Sequence, residues 1–324
     1  MAPELSFIIV NWNGGDFLRQ CLRRLAEHPP AIPYEVIIVD NASSDDSVAW
    51  LHSGEAQALF ADAPLRVIAN PDNVGFAIAN NQAMAASRSP MVLLLNSDAD
   101  VTAGAIDSLV ATLQSDPRIG AVGPRLLNTD GTLQHSVWRN PPTVREIFVN
   151  GSGLWRLIPK RLRGEWLLGG HWEHDRRREV PMLFGAAILA RRAMIDAVGG
   201  LDEQFHMYGE DAEWCLRIVR GGWLLVFEPA AVVVHHGGQS AQQRWTSADK
   251  KRVQLDTFFQ FQQQALPRRQ VVANQVVSYA VAWMKKVWRL LRGLPTEDVE
   301  MLLEVHGEHV RRALRKGVAP SSRS

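Results

Sequence analysis

Short apolar runs, recurring between helical segments, constrain this chain more than any other feature. Ser6 to Val10 (SFIIV), Glu35 to Val39 (EVIIV), Leu65 to Ala69 and Met91 to Leu95 (MVLLL) are rich in β-branched or aliphatic residues and too short for buried helices. Runs without polar alternation are strands covered on both faces, so they predict a mostly parallel sheet flanked by helices, a Rossmann-like α/β fold. Between the first two, Leu18, Cys21, Leu22 and Leu25 form a helical stripe, with Asp16 placed to cap it and Pro29, Pro30 and Pro33 ending it. Ligands of such sheets bind beyond the carboxyl ends of the strands. Asn11 and Asn13 follow the first run, Asp40 the second, and Asp98 and Asp100 the fourth, so the fold gathers them in one cleft.

The 324 residues are 46% hydrophobic and 21% charged, as in an ordinary globular protein. Cys21 and Cys215 are too few for a disulfide framework or a cysteine zinc site, and they read as buried thiols. Leu5 to Val10 lacks the basic flank of a leader, and no stretch reaches the ~18 apolar residues of a membrane span. A cytoplasmic chain is expected, peripheral to the inner membrane face if it touches lipid. Charge divides it: residues 1–243 carry 20 Lys+Arg and 27 Asp+Glu, residues 244–324 carry 15 and 7. Two domains are therefore expected. Residues 1–243 form the catalytic one, with a nucleotide half to about 117 and a looser, Trp- and Arg-rich acceptor half beyond it. Residues 244–324 form a basic helical extension with a disordered polar tail. No nucleic-acid partner is expected.

Asp98-Ala99-Asp100 leaves a buried strand, where two carboxylates one residue apart approach a single hard cation, Mg²⁺ or Mn²⁺, together with phosphate oxygens. Asp-x-Asp alone is common, and a capped loop is its plain alternative; its place at a strand end beside Asp40 favours the metal. Asp40 is placed to accept a hydrogen bond from a nucleobase N–H, while Ser44 or Asp45 caps the next helix. In Asn70 to Asn81 (NPDNVGFAIANN), Gly75 permits close backbone approach, and Asn73, Asn80 and Asn81 offer uncharged donors and acceptors. Glu210 and Asp211 open an amphipathic helix. One acid there is explained by the helix dipole, whereas two suggest a general base for an acceptor hydroxyl, Asp211 first and Glu210 second. His235 and His236 follow another strand and supply a further metal or phosphate ligand.

These pieces resemble the family 2 glycosyltransferases of the GT-A fold, especially the rhamnosyltransferase-like branch of bacterial polysaccharide assembly. SFIIVNWNG, VDNASSD, NVGFAIANN, LLLNSDAD, DGTLQHS, GLDEQFHMYGEDAEWCLR and VVVHHGGQS stand in family order over roughly residues 5 to 240. The resemblance implies a nucleoside-diphosphate sugar donor, with Asp40 on the base of a uridine or thymidine nucleotide and Asn73 along the donor. It makes Asp98 and Asp100 the metal pair, Asp211 the base and Arg217 a support. His235, in step with Gly238 and Ser240, becomes the third metal ligand. It further implies inversion at the anomeric carbon, and a glycan or lipid-linked acceptor. Processive members carry Gln-x-x-Arg-Trp; here Ala241 precedes Gln242-Gln243-Arg244-Trp245, so one sugar is added per encounter.

Three other functions fit the sequence less well. A sugar-nucleotide nucleotidyltransferase needs a basic, Gly-rich phosphate loop after the first strand, and Asn11 to Asp16 has no basic residue. A dinucleotide-dependent dehydrogenase needs Gly-x-Gly-x-x-Gly there, which is absent. A non-catalytic nucleotide-sugar-binding module would not require the full set Asp98, Asp100, Asp211 and His235. Near the C-terminus, Val271, Val276, Tyr279, Trp283, Val287, Leu290 and Leu291 lie at helical spacing beside Lys285, Lys286, Arg289 and Arg292. They suit a helix packed on the body, a homodimer contact, or an interfacial helix facing anionic lipid.

Overall fold

A computed structural model describes residues 2–61, 63–138, 140–237 and 246–315, with only the backbone of Arg161. Gly238, Ser240, Gln242 to Trp245 and the tail from residue 316 lie outside the described residues. The chain forms two compact units, residues 1–140 with 173–245, and residues 141–172 with 246–324. The second begins close to the expected boundary at 243 but also takes in 141–172. That stretch was expected within the looser acceptor half of the first domain; it is helical and clusters with the C-terminal helices.

The first unit starts with β1 (Leu5–Asn11), α1 (Gly15–Glu27), β2 (Tyr34–Asp40), α2 (Ser47–Leu51), α3 (Gly54–Leu59), β3 (Leu65–Ala69), α4 (Phe76–Ala86) and β4 (Met91–Asn96). Then come β5 (Ala99–Val101), α5 (Ala105–Gln114), β6 (Ile119–Leu127) and β7 (Leu133–Gln134). The second unit contributes α6 (Val144–Ser152) and α7 (Lys160–Leu167). The first resumes with β8 (Arg178–Glu179), β9 (Ala187–Arg191), α8 (Arg192–Val198), α9 (Glu210–Arg220) and β10 (Leu224–His235). The chain ends in α10 (Ser247–Ala265), α11 (Arg268–Leu291) and α12 (Glu297–Leu314).

The strands form one sheet in the order β3-β2-β1-β4-β9-β6-β10-β5, with β7 beside β6 and β8 beside β10. From β3 to β4 all pairings are parallel, as the buried runs predict. Beyond β4 the sheet is mixed: β9 runs antiparallel to both neighbours and β5 antiparallel to the end of β10. Register does the positioning. Asn11 lies opposite Asp40 and Val10 opposite Asn96, so three strands end level with one another. Phe7, Ile9, Val36, Ile38, Leu93 and Leu95 on the strands meet Leu18, Leu22 and Leu25 of α1 in the main core. Asp16, expected as a cap, lies in the first turn of α1 and bonds Arg19 at 3.0 Å; the N-cap itself is Gly14.

At the opposite, amino end of the strands a buried polar knot holds β1, β2 and the approach to β4 together. Ser6 Oγ donates to Glu35 Oε1 at 2.6 Å and lies 2.7 and 2.8 Å from the hydroxyls of Ser87 and Ser89. A buried carboxylate that loses its donor bears a desolvation cost of about 1–3 kcal/mol. Ser6→Ala is expected to lower unfolding stability by about that much in urea titrations while leaving kcat unchanged, because the site lies at the other strand ends.

In the second unit Pro267, with Leu266 extended before it, separates α10 from α11. One apolar cluster in it is built on Phe259, Val271 and Ala313, and Phe261, Val299 and Val305 are buried as well. Polar contacts supplement it: Asn274 Nδ2 donates to Gln262 Oε1 at 3.0 Å, and His309 Nε2 meets Asp256 Oδ1 at 2.7 Å. Thr143 and Glu146 form a reciprocal cap on α6. Gly151 on that helix lets α11 come close, since a Cβ there would stand 2.5 Å from Val281 Cγ1.

Candidate active site

The carboxyl ends of β1 and β2 are sewn together around Asp40, which is 1% exposed. Its Oδ2 accepts from Asn11 Nδ2 at 2.8 Å and Ser43 Oγ at 2.7 Å, and its Oδ1 accepts from the Ser43 amide at 2.9 Å. A carboxylate has about four lone-pair positions, so capacity for a nucleobase N–H remains on Oδ1. Asn13, at φ +50°, accepts from the amides of Ser44 and Asp45 through Oδ1, closing the same turn. Asp45 supports α2 by accepting from the Ser47 amide at 3.1 Å.

Asn41, between Asp40 and Ala42, joins this turn to the next one. Its Nδ2 donates to Asn73 Oδ1 at 2.9 Å, and its Oδ1 accepts from the Val74 amide at 3.1 Å. Asn73 also accepts from the Gly75 amide. Gly75, at φ +93°, has His206 Nδ1 2.7 Å from where a Cβ would stand, so both backbone and space demand glycine. The His206 carbonyl accepts from the Phe76 amide at 3.2 Å, satisfying a free N–H at the start of α4. The segment leading to Glu210 thus rests directly on the turn around Gly75.

Two residues expected to touch the donor face elsewhere. Asn81 donates to the Leu201 carbonyl and to Glu203 Oε1, both at 2.9 Å, and accepts from the Leu201 amide at 2.9 Å. Arg217 binds Glu213 at 2.7 Å and the carbonyls of Val198 and Gly200 at 2.5 and 2.6 Å. Apart from the Arg217–Glu213 pair, both side chains spend their polar atoms on residues 198–203 and position the segment ahead of α9. The buried asparagine of α4 is Asn80, which bonds back to the Phe76 carbonyl.

On the other side of the cleft each aspartate of the Asp-x-Asp pair faces a histidine. His235 Nε2 is 3.2 Å from Asp98 Oδ1 and 3.3 Å from Asn96 Nδ2, while its Nδ1 is 2.7 Å from Gln134 Oε1. The glutamine oxygen can only accept, so it fixes the proton on Nδ1 and turns the Nε2 lone pair toward Asp98. His236 Nε2 is 2.9 Å from Asp100 Oδ2, which also accepts from Gln20. The other oxygen of Asp100 is buried and has no hydrogen-bond partner among the described residues. Facing lone pairs and an unsatisfied buried carboxylate oxygen fit a divalent cation. Among the described residues, however, no three His, Cys, Asp or Glu side chains converge as a complete metal set. The expected trio Asp98, Asp100 and His235 is joined by His236, which directly follows the last residue of β10, and the four side chains form two Asp–His pairs. Sequence reasoning ranked His236 below His235; only the pairing of β5 with β10 reveals its place.

Glu210 and Asp211 follow a strained turn, with Tyr208 at φ +67° and Gly209 at φ +85°. Glu210 is buried, and its Oε2 has no partner among the described residues. Burial, reinforced by the Asp211 charge, pushes its carboxyl up to about 8. Burial raises Asp211 too, but two amides oppose it: Gly185 N–H donates to Oδ2 at 3.1 Å and Ala212 N–H to Oδ1 at 2.7 Å. Asp211 therefore carries the charge of the pair and Glu210 the proton. Tyr208 ties the halves of the site together. Its phenol is pushed up to about 12 by burial first, then by the charges of Glu210 and Asp98. The motifs gave no role to Tyr208, His206 and Asn41; Asn41 directly follows Asp40 and Tyr208 stands two residues before Glu210, which was the available signal.

A sheet whose carboxyl edge gathers a polar turn, an Asp-x-Asp pair and a buried acid pair is that of a GT-A glycosyltransferase. Residues 6–165 match Glycosyl transferase family 2, and the chain belongs to that family. It is 29% identical over 255 residues to the N-acetylglucosaminyl-diphospho-decaprenol L-rhamnosyltransferase of Mycobacterium tuberculosis, covering 74% of this chain and 78% of the relative. It is 28% identical to the O-antigen biosynthesis protein RfbC of Myxococcus xanthus, over 75% of this chain and 18% of that one. Among solved structures, the mannosyltransferase PcManGT of Pyrobaculum calidifontis, in complex with GDP-Man and Mn²⁺, superposes with a TM-score of 0.58. The identity is 18%, over 99% of this chain and 77% of that one. S. aureus TarS 1-349 superposes at 0.53 with 13% identity, over 95% and 92% of the two chains.

Removing the Asn81 amide frees the Leu201 backbone it holds. Asn81→Ala is expected to lower kcat/KM by about tenfold or more and to speed amide exchange at Leu201, given ~1–3 kcal/mol for lost buried hydrogen bonds. A donor-contacting Asn81 would instead leave exchange at Leu201 unchanged. Glu210 offers a second check. Its raised carboxyl keeps in the folded state a proton that the unfolded chain releases near ~4.3, so folding stability falls as pH rises from there toward 8. Glu210→Gln has no such proton, and its stability relative to the native chain is expected to rise across that window in urea titrations from about pH 5 to 8.

Proposed function

We propose that the chain is an inverting, non-processive transferase in cell-surface polysaccharide synthesis. It moves a deoxyhexose such as rhamnose from a dTDP- or UDP-sugar to a hydroxyl of a glycan or lipid-linked acceptor. The observation that carries this reading is the division of labour between Glu210 and Asp211, which leaves one ionised, amide-held carboxylate at the mouth of α9. The M. tuberculosis relative, named for rhamnosyl transfer to a decaprenyl diphosphate sugar, supports the sugar and the acceptor class.

In this reading Asp40 and the turn around Asn73 and Gly75 hold the nucleotide. Asp211 accepts the proton of the acceptor hydroxyl as that oxygen attacks the anomeric carbon. The bond from that carbon to the diphosphate oxygen breaks with its electron pair, and attack from the opposite face inverts the centre. Asp98 and Asp100, with His235 and His236 beside them, would hold Mg²⁺ or Mn²⁺ together with diphosphate oxygens. A divalent ion bound there neutralises the charge that gathers on the leaving diphosphate. Tyr208, half-buried beside Glu210 and Asp98, keeps its phenol proton, because burial and those two charges push it up to about 12.

The test is a donor screen with purified chain and Mn²⁺, read by release of nucleoside diphosphate, with the product anomer assigned by NMR. Asp211→Asn is expected to lower kcat by about 10²–10⁴-fold with little change in donor affinity, the range for loss of a general base. Near-native turnover of that variant would refute the base assignment, and pyrophosphate as product would refute sugar transfer.

A further inference from the structure

Large apolar side chains are distributed unevenly over the surface. Of the 17 that are exposed among the described residues, 15 belong to the smaller unit, residues 141–172 and 246–315. That unit, taken to residue 324, holds 19 Lys+Arg against 9 Asp+Glu, a net of +10; the sheet unit holds 16 against 25, a net of −9. One third of the chain is thus both the greasy part and the basic part.

The densest patch runs along the C-terminal half of α11. One side of this helix, with Val271, Asn274, Gln275, Val281 and Ala282, is buried where it packs on α6 and α12. The other side shows Tyr279, Trp283, Met284, Trp288 and Leu291 at 41–82% exposure, repeating at three- and four-residue intervals. Basic groups border this stripe. Lys286 and Arg289 are paired with Glu300 and Asp298, but Lys285 and Arg292 make no ion pair among the described residues, and the Arg292 guanidinium lies 4.5 Å above the Trp288 ring.

We infer that this face of α11 docks on an anionic phospholipid bilayer, with the tryptophans in the interfacial layer and the cations at the headgroups. Charge decides between occupants. A second copy would bring one +10 unit against another, whereas a bilayer with acidic headgroups is complementary to it. Half-exposed tryptophans beside unpaired cations suit a wet, negatively charged boundary better than a dry subunit interface, from which lysine is depleted. No helix among the described residues is long and apolar enough to cross a membrane, so the contact lies on the surface. This docking would bring a lipid-linked acceptor to the enzyme and to that extent rests on the proposed function, but it is measured without donor or acceptor.

The full chain is sedimented with phosphatidylcholine vesicles, with and without phosphatidylglycerol. Pelleting is expected only with the anionic vesicles and is expected to weaken with salt. Trp283→Ser combined with Trp288→Ser should lower the partition coefficient about tenfold or more, and Arg292→Gln about fivefold. Donor hydrolysis by the same variants in solution reports that they are folded; its absence in the native chain too would count against the transferase reading and leave the vesicle result standing. Equal pelleting of native and double-variant chains, or a native chain that never pellets, overturns the inference. So does a native dimer by sedimentation velocity that the tryptophan substitutions dissociate without any vesicle binding.

Discussion

Acidic side chains taken out of water must be paired, hydrogen-bonded or protonated, and the sheet unit is arranged around meeting that demand repeatedly. Glu35, Asp40, Asp98, Asp100, Glu210 and Glu228 are all buried. Glu35 and Glu228 are answered structurally. Ser6 and Ser89 donate to the first, and Thr112, Arg177 and the Ala230 amide to the second, whose carboxyl lies below its usual range through those bonds despite burial. Asp40 is answered three times and keeps one position open. Asp98 and Asp100 are answered by histidines, with an oxygen of Asp100 left over. Demand met entirely within the chain thus grades into open positions at the carboxyl edge, where Asp40 retains acceptor capacity and Asp100 an unpartnered oxygen.

That gradient follows from the topology. Parallel strands in register end on one edge, so polar residues following each run converge there without any long-range search by the side chains. The same feature made much of the site legible in the sequence. Asn11, Asp40 and the Asp-x-Asp pair each follow a buried run by zero to a few residues, and a run's end is a local property. The partners of Asn81 and Arg217 were hidden for the converse reason. Both belong to motifs, but their partners are the backbone of residues 198–203, and nothing local to either side chain reveals that a loop far along the chain needs an anchor there. The Trp- and Arg-rich stretch from 141 to 172 was likewise misplaced. Its helices are short and their stripes weak, and its compact neighbours are the helices from 246 onward.

Strain marks the same edge. Asn13, Ala42 and Tyr208 all take left-handed backbone conformations that a side chain disfavours, and each adjoins a residue of the site. Such conformations persist only where surrounding contacts overdetermine them. Around Asn13 and Ala42 the bonds of Ser43, Ser44 and Asn41 do so; around Tyr208 the contact between His206 and the turn at Gly75 does. The donor-side turn and the segment before the base are therefore one mechanical unit, and a substitution at Gly75 would disturb both.

The choice between Glu210 and Asp211 shows how backbone rather than residue type assigns a chemical role. Both are carboxylic acids, adjacent in sequence and buried, and two like charges so close cannot both be held at low cost. A helix N-terminus would favour either one equally by its dipole. The asymmetry comes from the Gly185 and Ala212 amides, which donate to both oxygens of Asp211, whereas Glu210 Oε2 has no partner among the described residues. The first of these amides approaches closely because residue 185 is glycine: a Cβ there would stand 3.3 Å from the Asp211 Cβ and 3.4 Å from Oδ2. A glycine outside every catalytic motif thus joins the Ala212 amide in favouring the charge on Asp211 over Glu210.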